Sequence, residues 1–464
     1  MIEIIDAAYC KVTDRSLYEA VREILSYKSE YWTEGRFHKE RHVSTASFFD
    51  RKTGEFPKGF LRRVLEELER KKLIDPTADW LRELETPQYF FEEPRLRDIT
   101  LRSDQYEMLQ GLSNLHRGYF KAPTGSGKTI LALAIRSMMP DSKTLILTHT
   151  IDLLTQTVQE FRRFGANTYE VGGGRKEIPD LQRGDVVVAM VQTFINLPDI
   201  IDYKDTFDIV IIDECHHVTD TTGRHANILK VIGSKLRVGL TATVPKDPKK
   251  LMALEGFIGP MLGEFTVKEA IEKGVISKPE IEWISVPQQD DLLDITKYRK
   301  LYEKAIVTGR TRNRLVIEAA IRHIDQDRSV LIVVKEVEHG KILRQLAEAL
   351  GLQARFISGD TSSKIRADLK QALEEKQVYC VIATIWKEGV NIKSLDVVIN
   401  AAGGMSEIAT LQSIGRALRV TETKKKITII DFVDAYRYLN HHAIMRLRTY
   451  VENEWAMHGT ATQK

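Results

Sequence analysis

The stretch GYFKAPTGSGKTILALAIRSMM, residues 118–139, decides the fold. A short apolar run is followed by a glycine-rich turn and then by a segment of helical period, the order strand, loop, helix. Glycines in such a turn let backbone N–H groups close around an anion, and the N-terminus of the following helix adds partial positive charge. In the turn itself, Ala122 to Thr129, the backbone of Pro123, Thr124, Gly125, Ser126 and Gly127 is suited to cradle phosphate oxygens. Lys128 reaches the outer phosphates and the Thr129 hydroxyl suits Mg²⁺. Ala122 stands where the strict pattern has glycine.

Outward from this stretch, the runs TLILTH, DVVVAM, FDIVIID and RVGLTAT are too continuously apolar for burial on one face only. They read as strands of a parallel sheet covered on both sides. A second series, SVLIVV, ARFISG, YCVIAT, DVVIN and KITIIDFV, is again separated by helical segments such as HGKILRQLAEALG. The polar, proline-bearing ISVPQQDD, Ile284 to Asp291, reads as the connection. The expected architecture is α/β, with two tandem parallel-sheet lobes over 96–283 and 284–464. They are preceded by a small α+β domain over 1–95, which carries an amphipathic helix at Phe60 to Leu73.

At 464 residues the chain exceeds one compact core. With 43% hydrophobic and 29% charged residues it is too apolar to be disordered. The net charge of +3 permits a nucleic-acid partner without demanding one. Cys10, Cys215 and Cys380 show neither C-x-x-C nor zinc-ligand spacing, which points to a reducing compartment. No run has the length of a membrane span and the N-terminus lacks a signal-peptide pattern, so a soluble, cytoplasmic protein is expected.

FDIVIIDECHH ends a buried strand in two acids. An NTPase needs one carboxylate near its metal, here Asp213, and a second to polarise the attacking water, here Glu214. Read alone, the pair is equally a solvated strand end; with the upstream loop, the chemical reading prevails.

Together these motifs resemble the superfamily 2 helicases and translocases of the DExH type, with DECH as the box and RecA-like lobes as the implied fold. The resemblance spans about residues 100 to 435 and implies ATP as the substrate and Mg²⁺ as its cofactor. It places Arg102 and Gln105 of LRSDQ near the adenine and makes His216 a coupling residue, with Thr241 and Thr243 of TAT. His217 receives no role, and a metal site at the histidine pair has no companion ligands. The resemblance also places Thr148 and Gln156 of THTIDLLTQTVQEF, and Gln192 and Thr193 of VQTF, along the nucleic-acid backbone.

In the second lobe it implies that His339, Ser358, Gly359 and Asp360 grip the same strand. Thr384, Glu388 and Gly389 of TIWKEGVNI belong to the cleft motif, and QSIGRALR supplies Gln412 together with Arg416 and Arg419 as the arginine fingers. Ser413 stands where the family often has a further arginine.

Substrate choice must come from outside the motor. Arg36, Lys39 and Arg41 interleave with Tyr31, Trp32 and Phe37, a mixture suited either to bases and phosphates or to a small core of its own. Lys424, Lys425 and Lys426 suit a phosphate contact or a solvated turn. GEFPKGFLRRVL, GFIGPMLGEFTVKEAIEKGVISKP and GRTRNRLV resemble the phage UvsW-type and XPB-like branch. That branch implies a DNA helicase or translocase acting on branched or forked DNA in replication, recombination or repair, including branch migration. The alternatives are an RNA helicase of the same class, a motor subunit of a restriction or defence complex, or an inactive nucleic-acid-binding adaptor. The adaptor would lack Lys128, Asp213, Glu214 or the finger arginines, all of which are present.

Overall fold

The computed structural model describes residues 1–34, 39–84, 91–384, 395–404, 426–452 and 455–459. Two compact units are present: Met1–Ala122 with Gly127–Phe265, and Pro123–Ser126 with Thr266–Lys464.

The first unit contains a seven-stranded sheet with every pairing parallel. Its order runs Met261–Glu264, Arg117–Lys121, Leu236–Thr241, Ile209–Asp213, Thr144–Thr148, Val186–Met190, Thr168–Val171. Thr144–Thr148 and Leu236–Thr241 are buried along their whole length, as two-sided covering requires. The helix Lys128–Ser137 buries Leu131 to Ile135 without a break, so the phosphate loop is anchored by a helix embedded in the core. Strand order places Leu236–Thr241 between the strand that feeds the loop and the strand that ends in Asp213. In register, Asp213 pairs with Leu240 and Thr241 with Lys121, so three motifs emerge at the carboxyl edge where parallel sheets bind ligands.

The N-terminal segment is α+β, as expected. Ile2–Ile4, Tyr9–Val12 and Glu55–Pro57 form a three-stranded antiparallel sheet, and Ser26–Glu34 pairs with Lys39–Ser47 as a hairpin. The amphipathic helix is Leu61–Arg70 and buries Val64 and Leu68. The segment builds a core of its own, which includes Phe56, Phe60, Val64 and Leu68, and Met252 of the helix Pro248–Phe257 joins it from the first sheet's domain. Gly59 makes that approach possible, since a Cβ there would sit 2.0 Å from the carbonyl oxygen of Glu255.

The second unit holds another seven-stranded all-parallel sheet, in the order Ala354–Ile357, Cys380–Ala383, Val330–Val333, Val397–Asn400, Lys426–Asp434, Lys278–Val286, Ala456–Gly459. The expected boundary at residues 283 and 284 is corrected here. Lys278–Val286 is a nine-residue strand paired with Lys426–Asp434 along its whole length, and the units divide between Phe265 and Thr266. Proline and polar residues from 287 onward mark the end of this strand, not the start of the lobe. Two buried ion pairs brace the sheet: Arg312 with Asp434, and Arg446 with Asp431, which also accepts from Tyr450. Among the described residues no helix is long and apolar enough to cross a membrane, and all three cysteines are buried and free.

Candidate active site

At the loop, Gly125 (φ +87°) and Gly127 (φ +93°) hold left-handed backbone, which a side chain would strain. The Ser126 hydroxyl donates to the Pro123 carbonyl at 2.7 Å and the Ala122 N–H to the Thr241 carbonyl at 2.9 Å, fixing the turn to its neighbouring strand. Lys128 opens the helix, and Thr129, partly buried, follows it in the first turn. The Lys128 ammonium donates to the Ala122 carbonyl at 3.4 Å and lies 3.8 Å from Glu214 Oε1.

Glu214 follows the strand Ile209–Asp213 in a left-handed conformation (φ +48°), sparsely populated for a non-glycine residue and the kind of strain that clusters at active sites. Its N–H donates to Asp213 Oδ1 at 3.0 Å. Burial, joined by the Glu214 charge, pushes the Asp213 carboxyl well above the ordinary range, and Lys128 offsets this only in part. Glu214 Oε2 lies 3.2 Å from His216 Nδ1, which is also 2.9 Å from Thr241 Oγ1. Thr241 donates its one hydroxyl proton to the Thr243 carbonyl at 2.8 Å and accepts from the Thr243 N–H at 3.2 Å, so His216 Nδ1 must carry the ring proton. The acid box and the TAT segment are therefore one hydrogen-bonded unit.

Arg102 and Gln105 also reach the loop. A Cβ on Gly127 would sit 2.9 Å from Gln105 Nε2 and 3.5 Å from Arg102 Nη1. Asp104, buried, holds the Arg102 guanidinium in a fork, with Nε to Oδ1 at 3.0 Å and Nη2 to Oδ2 at 2.8 Å. Motif reading missed Asp104, although its place two residues after the arginine was the available signal.

Three histidines lie behind His216. The rings of His149 and His217 stack with centroids 4.2 Å apart and planes 10° apart, and His225 lies 6.1 and 6.2 Å from them, also near-parallel. Lone pairs of stacked imidazoles lie in parallel layers and do not converge, and among the described residues no group is arranged to hold a metal through His, Cys, Asp or Glu. Burial and the neighbouring rings bring His217 down to about 3 and His225 to about 4, so both are neutral at physiological pH. His149 and His225 come from separate elements, and nothing in their spacing announces the stack.

Of the expected nucleic-acid contacts in this unit, Gln192 is exposed, and Gln156 and Thr193 are partly exposed. Thr148 is not available: it is fully buried inside its strand and donates to the Ala189 carbonyl at 3.4 Å. In the second unit Gly359 and Asp360 are exposed beyond Ala354–Ile357. Ser358 and Thr384 end adjacent parallel strands, with the Thr384 N–H donating to the Ile357 carbonyl at 3.2 Å. His339 is corrected as well. It is fully buried, 2.9 Å from Asn313 Oδ1, and burial beside Arg312 brings it down to about 3, making it a core residue and not a grip. Glu388, Gly389, Gln412, Ser413, Arg416, Arg419, Lys424 and Lys425 lie outside the described residues, as do Arg36 and Phe37. The side chains of Tyr31, Trp32, Lys39 and Arg41 also lie outside the description. Lys426 pairs with Glu280 at 2.6 Å.

Residues 98–246 match the family model "Type III restriction enzyme, res subunit", and residues 311–421 match "Helicase conserved C-terminal domain". The chain is 26% identical to the ATP-dependent DNA helicase uvsW of Enterobacteria phage T4, over 84% of this chain and 81% of that protein. It is 24% identical to the DNA 3'-5' translocase XPB2 of Sulfurisphaera tokodaii, over 73% of this chain and 83% of that protein. Among solved structures, the ATP-dependent type ISP restriction-modification enzyme LlaBIII bound to DNA shares the fold with a TM-score of 0.60 at 15% identity, over 79% of this chain and 32% of that one. With a glycine-cradled lysine facing an acid box tied to its TAT strand, and both halves of the helicase matched in order, the chain belongs to the superfamily 2 helicases and is an ATPase of that class, distantly related to the UvsW and XPB-like enzymes.

Proposed function

We propose that the chain is an ATP-driven motor that translocates along or unwinds DNA, with branched or forked DNA as its substrate in replication, recombination or repair. The observation that carries the reading is the continuous path from Lys128 through Glu214 and His216 to Thr241, all at one edge of one sheet. In this reading Lys128 neutralises the outer phosphates and Glu214 orients the attacking water. Asp213 and Thr129 would hold Mg²⁺, which when bound would offset charge on the phosphate oxygens. The site fits such a cation, because Asp213 is a buried carboxyl that its surroundings make costly to ionise alone. His216 and Thr241 carry the state of Glu214 toward TAT.

DNA as the track is supported by the activities named for the uvsW and XPB2 relatives. Gln156, Gln192, Thr193, Gly359 and Asp360 are the candidate backbone contacts, with Ser358 and Thr384 holding the strand ends beneath two of them. Contacts of this kind read phosphate and sugar, so binding is expected to be strongly salt-dependent and weakly sequence-dependent. The test is the ATPase rate against a panel of single-stranded DNA, duplex, fork, four-way junction and RNA. Strongest stimulation by the fork or junction supports the reading, and stimulation by RNA alone overturns it.

A further inference from the structure

The N-terminal segment meets the first sheet over a group of cations that the active site does not use, Arg237 buried and Lys58 and Arg117 half-buried. Arg117 opens the strand Arg117–Lys121, and its Nη1 is shielded from solvent without a hydrogen-bond partner. Its register partner Arg237 is almost completely buried. It donates to the Phe257 carbonyl at 3.0 Å and the Ile232 carbonyl at 2.7 Å, leaving Nε unpartnered. Lys58, from the N-terminal segment, is the third member; burial, with Arg117 and Arg237 nearby, brings its amine down to about 8.

Among the described residues no carboxylate pairs with any of the three. Asp6, whose charge reaches Lys58 and Arg237, makes no ion pair with them, and its Oδ1 accepts from the N–H groups of Ala8 at 2.7 Å and Tyr9 at 2.8 Å. Cys10 is a thiol that burial pushes up to about 12. A cavity of about 230 Å³ opens on this group, lined by Lys58 and Arg117 and walled by Leu61, Leu65, Leu115 and Pro260. Arg62 also borders it but is paired with Glu66 at 2.6 Å.

Cations partly withdrawn from water without counter-ions are costly, and a domain selected for stability alone would pair them or replace them with apolar residues. We propose that this cavity is an anion site that takes a phosphate group between Lys58 and Arg117. Its size is below the roughly 300 Å³ at which drug-sized ligands begin, which suits one phosphate and little more. It is distinct from the ATP site. Arg117 begins the strand whose far end feeds the phosphate loop, and five residues at roughly 3.3 Å each separate the two edges of the sheet. The same chemistry is offered by free inorganic phosphate and by a backbone phosphate of nucleic acid.

The test is thermal unfolding of the full chain carrying Lys128→Ala, so that the phosphate loop does not contribute, with inorganic phosphate titrated against chloride at matched ionic strength. The expected result is a saturable rise in Tm of a few degrees that Lys58→Met and Arg117→Met both abolish. Lys58→Met alone in chloride should melt no lower than its parent, because an uncompensated charge has gone. No saturable rise in the parent, or an equal rise in Lys58→Met, overturns the proposal; if Arg117→Met does not fold, Lys58→Met decides. A second arm measures single-stranded DNA affinity against salt. A slope reduced by roughly 0.7 in Lys58→Met assigns the site to a backbone phosphate, whereas an unchanged slope with a lost phosphate response assigns it to the free ion.

Discussion

His216 Nδ1 lies 2.9 Å from Thr241 Oγ1, and this contact joins the ends of two neighbouring parallel strands. One strand ends in the acid pair and the other in TAT, so any displacement of Glu214 that moves His216 is passed to the Thr241–Thr243 turn.

Thr241→Val keeps the shape of the side chain and removes the hydroxyl. It is expected to leave unstimulated ATP hydrolysis within a few-fold and to reduce stimulation by DNA at least ten-fold, with Thr241→Ser restoring it. Losing such a buried hydrogen bond costs about 1 to 3 kcal/mol, so the folded state should survive. ATPase assays with and without DNA make the comparison.

Asp104 acts through Arg102. Asp104→Ala releases the guanidinium from its fork, and the expected effect is a KM for ATP raised about ten-fold, corresponding to roughly 1.4 kcal/mol of uniform binding, with kcat little changed. An unchanged KM would remove Arg102 from the nucleotide site.

Much of this site was legible because its parts are contiguous: the phosphate loop, DECH and TAT each sit within a few residues at a strand end. Assemblies from distant elements were not legible. His149, His217 and His225 meet only after three segments fold, and Arg117, Arg237 and Lys58 meet only when the N-terminal segment docks. Thr148 and His339 show the converse, since a motif position says nothing of burial and both side chains point into cores. The boundary cut the strand Lys278–Val286 and left Lys278 to Trp283 on the wrong side, because a proline after a strand looks the same whether it ends a lobe or merely a strand.

The histidine stack sets a pH dependence. Folded His217 and His225 are brought below the ordinary value of 6.5, to about 3 and about 4, so from pH 6.5 down to those values the unfolded chain binds protons that the folded chain refuses. Stability from this source is complete above pH 6.5 and falls as pH falls through that window. Urea midpoints at pH 7.5 and 5.0 should differ less in His225→Phe than in the wild type.

In the second unit, Arg446 and Asp431 form a fully buried pair that Tyr450 and the Phe432 carbonyl complete. Arg446→Ala leaves Asp431 charged and uncompensated, and a loss of about 3 to 5 kcal/mol is expected from denaturant unfolding. Replacing both partners by apolar residues of similar volume should recover much of it.

Glu214 lies 3.8 Å from the Lys128 ammonium at the phosphate loop, the position from which it would serve the hydrolysis that drives a motor on DNA. Steady-state ATP turnover of Glu214→Gln with saturating forked DNA tests that role most directly, alongside DNA affinity measured on the same protein. Turnover is expected to fall at least a hundred-fold with DNA binding retained; turnover near that of the wild type would remove Glu214 from the hydrolysis.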